Sequence, residues 1–527
     1  MEKKKRERYI FWGILAIAVL VRCIGFVKIP GGVNQDEAMA GVDAWALSRY
    51  GTDRYGIRLP VHFTAWKYGQ MSVLLSYCMV PFIRLFGFGT FAVRLPMLLA
   101  GCGSVILVYL VGKKLFTSEM ALGLMALTAI NPWHFMQSRW SLDCNLFPHV
   151  FLLAFYLLLL GLEKRRYLYL SMIFFGLTFY CYGVAVYSVI PFLVVYAVWC
   201  LWKKLLKFRE ILLCIVLFSL VALPEILVMA INFFGLSTIE TPLFTMSYFP
   251  ESIRSNDILF LNFSFAQLGR NLLAMIRTCI LQTPDQLYNA LPAFGPLYHI
   301  SIPFMLLGIF TFTRDLYRRR DIAQRARMLA LLGFFLTGVW VGIITFEVNV
   351  NRINLIYFPL IFLCGYGIWK VTERWKKLLP FIGTAYIVCF VLFLGTYFTT
   401  FAGEIGRMFN VNFLETVKAA DEKEEYEKLY ITGHMDWQYN LSMAEILTQY
   451  ACEIDAAYYQ EKTNNNGGRE LLPYSERYHY INLDYEQKAE SDGLYLVHVS
   501  ELEKVPFEYR MLEESGNYCF LVPNEED

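Results

Sequence analysis

Charged residues are scarce in this sequence, making up 17% of its 527 residues, against roughly a quarter in soluble domains. Hydrophobic residues make up 57%, and the mean hydropathy is +0.42. The 12 cysteines form no CxxC pair and lie mostly in apolar runs, which argues against a zinc site or a disulfide framework. For Cys452 and Cys519, alone in the C-terminal region, the sequence leaves open whether they pair. Soluble domains are less apolar than this sequence, and its long apolar runs predict several membrane spans.

The net charge of +2 conceals two regions of opposite sign. Residues 1–403 hold 37 Lys and Arg against 19 Asp and Glu, whereas residues 404–527 hold 10 against 26. We therefore expect a transmembrane domain over 1–403 and an acidic soluble domain over 404–527. Strand-like and helix-like runs alternate in the second region, which predicts a small α+β fold. Its acidity argues against tight docking on anionic headgroups.

Basic loops set the expected topology, because Lys and Arg in short loops mark the cytoplasmic side. A basic N-terminus precedes an apolar run without a small-residue cleavage site, so we expect a retained signal anchor. If the run 71–88, which holds Pro81 and Arg84, crossed the membrane, later basic loops would fall outside. We therefore expect it to be interfacial or re-entrant. About eleven spans result, with the N-terminus cytoplasmic and the C-terminal domain extracytoplasmic. They lie near 9–27, 91–112, 119–132, 147–162, 167–182, 184–202, 211–232, 297–313, 328–346, 353–369 and 379–400.

The expected outer segments are 28–90, 133–146 and 233–296. Polar side chains concentrate in the first two, whereas the third has few charges. Asp36 and Glu37 open a loop directly after the first span. Carboxylates beside hydrocarbon are unfavourable unless they face water, a partner or a substrate. One interpretation is a solvated acidic turn. The other is a general base or cation-binding carboxylate at the mouth of a membrane cavity.

Arginines accompany further polar residues in two later stretches. Arg139 and Asp143 are four apart, which on a helix places them on one face. Spacing alone favours an ion pair between the two residues. The alternative is that both contribute to one functional site. Arg352, at the outer end of a late span, either extends to the interface or serves a site, and Arg22 is a weaker candidate of the same kind. A carboxylate near the outer interface can deprotonate a hydroxyl or amine group of an acceptor. An arginine at the same depth can bind the phosphate of a lipid through two parallel hydrogen bonds.

Three stretches resemble, in order, bacterial members of the protein O-mannosyltransferase and aminoarabinose-transferase group. These are the Asp36-Glu37 pair, Ser-Arg-x-x-x-Asp from Ser138 to Asp143, and Asn-Arg-x-Asn-x-x-x-x-Pro from Asn351 to Pro359. The resemblance covers roughly residues 9–400. The group consists of multi-span glycosyltransferases of the GT-C superfamily, which use polyprenyl-phosphate-linked sugars. It therefore implies a polytopic helical bundle of that type, here with the C-terminal α+β domain added.

The resemblance also implies an inverting transfer in which Asp36 is the base, Glu37 shapes the site and Asp143 is a second acidic group. Fixed arginines would neutralise the leaving phosphate, so no metal and no cofactor are expected. The expected partners are a polyprenyl-phosphate-linked sugar, membrane lipid and a glycan, lipid or protein acceptor, without nucleic acid. The donor-phosphate candidates are Arg139, Arg352, Lys67 and Arg58, and the acceptor or sugar candidates are His62, Trp66, Gln70 and Asn354.

One departure and two alternatives accompany this interpretation. Many members carry a His-Pro-Pro or Lys-Pro-Pro stretch, whereas here the region reads Trp66-Lys67-Tyr68-Gly69-Gln70, in which only Lys67 keeps a cationic role. A transporter or flippase of lipid-linked saccharides is the main alternative, although transporters tend to show internal repeats and mid-membrane ionisable groups. A polymerase or ligase of surface glycans would differ only in its acceptor. The enzyme hypothesis expects the acidic and guanidinium groups to meet in one outward-opening pocket.

Overall fold

The computed structural model describes residues 2–65, 69–250, 259, 263–283, 285–485 and 493–524. The chain divides into two compact units, each built from separated stretches. The first comprises Met1–Phe26, Pro96–Leu236 and Ser252–Phe401, and the second comprises Val27–Leu95, Ser237–Glu251 and Ala402–Asp527. The second unit thus groups the first predicted outer segment with the C-terminal region, whereas the boundary proposed at residue 403 stays a prediction.

Apolar helices build most of the chain up to residue 401, and a helix coincides with every predicted span. Eight helices in the described part of the chain are long and apolar enough to cross a membrane, namely α4, α7, α9, α10, α12, α13, α14 and α15. The other three predicted spans fall on α1, α5 and α8, and the polytopic helical fold is confirmed. The helices are α1 (Glu2–Cys23), α2 (Gln35–Tyr50), α3 (Leu74–Phe86), α4 (Thr90–Leu115), α5 (Ser118–Ala129), α6 (Pro132–Gln137), α7 (Asp143–Gly161), α8 (Arg165–Leu177), α9 (Val184–Trp202), α10 (Phe208–Phe234), α11 (Phe265–Met275), α12 (Ile302–Arg318), α13 (Ile322–Ile344), α14 (Tyr357–Arg374) and α15 (Leu378–Thr396).

Close backbone approach joins two helices of the first unit, α12 and α14. A Cβ added to Gly308 would lie 1.8 Å from the Leu363 carbonyl oxygen, and one added to Gly367 would lie 1.9 Å from the Phe304 oxygen. Small residues at such crossings permit tight van der Waals packing, which drives helix association where lipid removes the hydrophobic driving force. The two glycines therefore fix how this helix pair packs.

The predicted interfacial run 71–88 forms the end of a short strand and the 13-residue helix α3. About 20 apolar residues are needed to cross a bilayer. The length of α3 therefore agrees with a helix that does not span, and its interfacial placement stays a prediction.

The C-terminal region forms the small α+β fold that the sequence predicts. Its sheet has the order β10-β11-β9-β5-β8, in which β5 runs parallel to β8 and β9, and β11 runs antiparallel to β9 and β10. Cys452 and Cys519 are both free thiols. The second unit's remaining elements are α16 (Ala402–Glu404), α17 (Val411–Asp421), α18 (Leu441–Ala451), α19 (Ala456–Tyr459), α20 (Tyr474–Arg477), β1 (His62–Thr64), β2 (Gln70–Ser72), β3 (Ile239–Glu240), β4 (Thr245–Met246), β5 (Lys428–Thr432), β6 (Asn465–Asn466), β7 (Arg469–Glu470), β8 (Tyr478–Ile481), β9 (Gly493–His498), β10 (Tyr509–Ser515) and β11 (Tyr518–Pro523).

Within the second unit, the loop before α2 packs directly on the backbone that precedes α17. Gly32 has φ +68°, and a Cβ there would lie 2.1 Å from the Phe409 carbonyl oxygen. The Asn410 side chain donates to the Val33 carbonyl at 3.2 Å. Only glycine satisfies both the left-handed backbone and the close contact at position 32. The loop that leads into Asp36 is therefore held by the C-terminal region.

We expect Gly32→Ala to destabilise the second unit by more than about 2 kcal/mol, because it adds a clash to the strain of a positive φ. Gly51→Ala is the matched control, since Gly51 has φ +70° with nothing within 4 Å of an added Cβ, and should lose only about 1 kcal/mol. Thermal unfolding of the purified protein in detergent compares the two. Equal losses would show that the contact with Phe409 is not tight.

Candidate active-site residues

Asp36 lies in the first turn of α2, where the sequence predicted the opening of a loop. Asn34 caps this helix, its Oδ1 accepting from the Asp36 backbone N–H at 3.0 Å. The Asp36 side chain is half-buried. A helix N-terminus stabilises a carboxylate through the aligned peptide dipoles. The loop prediction was wrong because the Asn34 cap starts a helix here, and that helix gives Asp36 a fixed backbone.

Glu37 is fully buried and paired with Arg94 of α4, a residue of the same unit. The Arg94 Nε donates to Oε1 and its Nη2 donates to Oε2, both at 2.8 Å. The same guanidinium donates to the carbonyls of Pro30 at 2.8 Å and Gly32 at 2.7 Å. Arg94, near the start of α4, therefore holds both α2 and the loop that precedes α2. Its role escaped the sequence analysis, although a lone arginine in the first turn of an apolar helix was a visible signal.

Replacing Glu37 by glutamine should lower the stability of the protein by about 3–5 kcal/mol, because it leaves the Arg94 charge buried without its carboxylate. Thermal unfolding in detergent measures this loss. Glu119→Gln serves as the control, since Glu119 forms an exposed pair with Lys3 and should lose no more than about 1 kcal/mol. A Glu37→Gln protein as stable as the control would contradict the pairing.

A second buried charge cluster follows in the same unit. The Arg54 backbone N–H and Nη1 donate to Asp43 at 3.0 and 2.5 Å, and its Nη2 donates to the Thr64 carbonyl at 2.7 Å. Asp53 is fully buried, and its Oδ1 accepts from the N–H groups of Tyr55 and Ile57. Its Oδ2 has no hydrogen-bond partner among the described residues. Burial, together with the nearby Asp43 charge, raises the pKa of Asp53 to about 7.

This cluster predicts that stability falls as the pH rises. The folded protein holds the Asp53 proton up to about pH 7, whereas an unfolded aspartate releases it near pH 4. Stability from this group is therefore full below about pH 4 and is lost by roughly 2–4 kcal/mol as the pH rises through 7. Asp53→Asn keeps the acceptor for Tyr55 and Ile57, and its unfolding temperature should change less between pH 5 and pH 8. An equal change in unfolding temperature between pH 5 and pH 8 in the wild type and in Asp53→Asn would contradict the raised pKa of Asp53.

The remaining predicted residues of the first outer segment lie on and around one hairpin. The strands β1 and β2 pair antiparallel with His62 opposite Ser72 and Thr64 opposite Gln70. Because these pairs are two residues apart, the side chains of His62 and Gln70 lie on one face of the hairpin. Arg58 is exposed and makes a backbone bridge with Thr52. Two further predicted residues, Trp66 and Lys67, lie outside the described residues.

In the first unit, Arg139 is fully buried against the end of α1. It donates to the carbonyl of Arg22 at 2.7 Å, to that of Gly25 at 2.9 Å and to the Tyr397 hydroxyl at 3.0 Å. The helix-face argument for Arg139 and Asp143 was wrong, because α6 ends at Gln137 and α7 begins at Asp143. Arg139 therefore fixes the Ser-Arg-x-x-x-Asp stretch to the first helix.

The two later resemblance stretches meet in this unit. The Asn354 side chain, 1% exposed, donates to the carbonyl of Cys144 at 2.5 Å. Asp143 directly precedes that residue, is buried, and accepts the Cys144 N–H at 2.7 Å. Arg352, two residues before Asn354, is partly exposed and donates to the Glu347 carbonyl at 3.2 Å. Residues 210 positions apart are thus joined, whereas the meeting of the acidic and guanidinium groups in one pocket stays a prediction.

A chain of buried polar side chains links four helices of the same unit, α1, α4, α6 and α7. Arg22 donates to His134 Nδ1 at 2.8 Å and to the Ala129 carbonyl at 3.0 Å. A guanidinium only donates, so the His134 ring carries its proton on Nε2, which lies 2.7 Å from Ser104 Oγ. Ser104 Oγ lies 3.0 Å from His149 Nδ1. Arg22 was a weak candidate in the sequence, and here it anchors α6 to α1.

Metal ligation finds no support in the described residues, which contain no group of three His, Cys, Asp or Glu side chains able to hold an ion. The expected independence of metal stays a prediction.

Comparisons with known proteins agree with the predicted resemblance. The model of the family described as dolichyl-phosphate-mannose-protein mannosyltransferase matches residues 71–228. Among solved structures, ArnT from Cupriavidus metallidurans bound to undecaprenyl phosphate has a TM-score of 0.59 at 12% identity, over 97% of this chain and 98% of that one. The oligosaccharyltransferase of Archaeoglobus fulgidus in the apo form has a TM-score of 0.51 at 12% identity, over 100% of this chain and 75% of that one.

No curated protein matches the chain by sequence. The family match and the structural likeness confirm the resemblance, and the fold is that of the GT-C glycosyltransferases. The apolar helices together with this fold define a multi-pass membrane protein.

Proposed function

We propose that this protein is a membrane glycosyltransferase that moves a sugar from a polyprenyl-phosphate carrier to an acceptor at the outer face of the membrane. The observation that carries the proposal is the fold, which extends over 97% of the chain and is similar to ArnT bound to undecaprenyl phosphate. The N-terminus lies in the cytoplasm and the C-terminal domain outside, as the distribution of basic loops supports. The acceptor is a glycan, lipid or protein of the cell envelope.

Asp36 acts as the general base in this proposal. Its half-buried carboxylate at the start of a capped helix supports the role, because the helix places it and its partial exposure leaves room for an acceptor. Glu37 has a different part, since its bidentate pair with Arg94 fixes the turn that carries Asp36. Glu37 is thus a positioning residue, and the shaping role expected from the sequence acts through Arg94.

The leaving phosphate is held by Arg352, whose guanidinium is partly exposed. Its Nη1 donates to the Glu347 carbonyl and lies 4.0 Å from the Glu347 carboxylate, and its other donors remain for bidentate binding of a phosphate. Arg139 contributes by holding the stretch that ends at Asp143, as its contacts with the end of α1 support. Asn354 supports Asp143 from the other side through the Cys144 carbonyl. Fixed cations of this kind stabilise the charge that develops on the leaving phosphate.

Asp36→Asn should reduce the turnover rate about 100- to 10,000-fold, the usual contribution of a general base, while the unfolding temperature stays that of the wild type. The assay follows polyprenyl phosphate released from a synthetic lipid-linked sugar in the presence of an envelope acceptor fraction. Asp321→Asn is the control, because Asp321 caps α13 and asparagine caps a helix equally well.

Wild-type turnover in the Asp36→Asn protein would overturn the assignment of the base. A purified wild-type protein that moves the lipid-linked sugar between leaflets of a liposome, without breaking its phosphate bond, would overturn the glycosyltransferase in favour of a transporter.

A further inference from the structure

An open groove of about 590 Å³ lies between the end of α2 and the helix α3, entirely within the second unit. Its size falls within the range of small-ligand sites. The wall is apolar apart from Tyr77 and Arg84, and the Tyr77 hydroxyl already donates to the Pro60 carbonyl at 3.1 Å. The lining residues are Leu47, Gly51, Leu59, Tyr77, Val80, Pro81, Arg84 and Leu85.

Arg84 supplies the one charge on this wall. Its side chain is exposed, and its Nε donates to the Ser48 carbonyl at 3.1 Å, which fixes the guanidinium at the rim. Its two terminal nitrogens make no hydrogen bond or ion pair with any residue that the structure describes. A guanidinium held in this way presents a fork that matches the oxygens of a phosphate.

The surface beside the groove is the kind that lipid covers. Leu85 is 73% exposed and Phe86 59% exposed at the end of α3, and Phe91 at the start of α4 is 43% exposed. Apolar and aromatic side chains beside an arginine are typical of the membrane interface. The positive charge of Arg84 and the apolar wall of the groove together complement a molecule that has an anionic headgroup and a hydrocarbon chain.

We propose that this groove binds one anionic membrane phospholipid, with an acyl chain along α3 and the phosphate on Arg84. The groove's volume suits one acyl chain better than the much longer isoprenoid of a carrier lipid. Leu47 and Gly51 belong to the end of the helix that begins at Asp36, so the bound lipid braces that helix against α3. The binding itself does not rest on the proposed function, and a binding assay tests it separately from catalysis.

Native mass spectrometry of the detergent-purified protein, titrated with phosphatidylglycerol or phosphatidylcholine, measures this binding. The wild type should bind one phosphatidylglycerol about fivefold more tightly than phosphatidylcholine, the preference that one interfacial arginine provides. Arg84→Gln should abolish the preference, and Arg84→Lys should restore part of it. Val80→Trp, which fills the groove, should weaken the binding of both lipids.

Arg49→Gln is the matched control, because Arg49 is an exposed arginine of α2 that pairs with Asp455 and does not line the groove. It should keep the wild-type preference. An undiminished preference in Arg84→Gln, or a loss of preference in both arginine variants, would overturn the site. A tighter, Arg84-dependent binding of polyprenyl phosphate than of phosphatidylglycerol would overturn the occupant and assign the groove to the carrier lipid.

Discussion

Burial of guanidinium groups is the constraint on which the candidate site depends. Arg22, Arg94 and Arg139 are each fully buried, and a buried charge is tolerated only when hydrogen bonds or an opposite charge compensate it. Arg94 has a carboxylate, and Arg139 has carbonyls at the end of α1. Each arginine thereby joins segments that are distant in sequence. These contacts fix the positions of the acidic residues Glu37 and Asp143.

In the proposed mechanism, this arrangement separates the residues that position the site from the residue that reacts. Glu37 is enclosed by Arg94 and contributes geometry. Asp36, its neighbour, is half-buried at a helix start. Adjacent carboxylates on a helix point in different directions, since successive residues are about 100° apart. One member of the pair therefore locks the turn while the other stays accessible, which is the division of roles that a fixed general base requires.

Long apolar runs made the helices predictable, and alternating runs made most of the C-terminal sheet predictable. The strand β10 was not predictable in this way, because Arg510, Glu513 and Glu514 give it the pattern of an exposed edge. The partnership of Glu37 with Arg94 was not predictable from local spacing, because 57 residues separate them. The prediction that Arg139 and Asp143 share one helix face was wrong, because α6 ends before Arg139 and α7 begins at Asp143. The start of α2 was missed, although an Asn34 cap before two carboxylates is a local signal that predicts a helix start.

In the proposed mechanism, a base-activated acceptor displaces the carrier phosphate in one step. The anomeric configuration of the transferred sugar tests this claim most directly, and NMR of the product from a donor of known configuration determines it. One displacement predicts inversion at the anomeric carbon. Retention would contradict the account, because it requires a covalent sugar–enzyme intermediate and a nucleophile in place of a base.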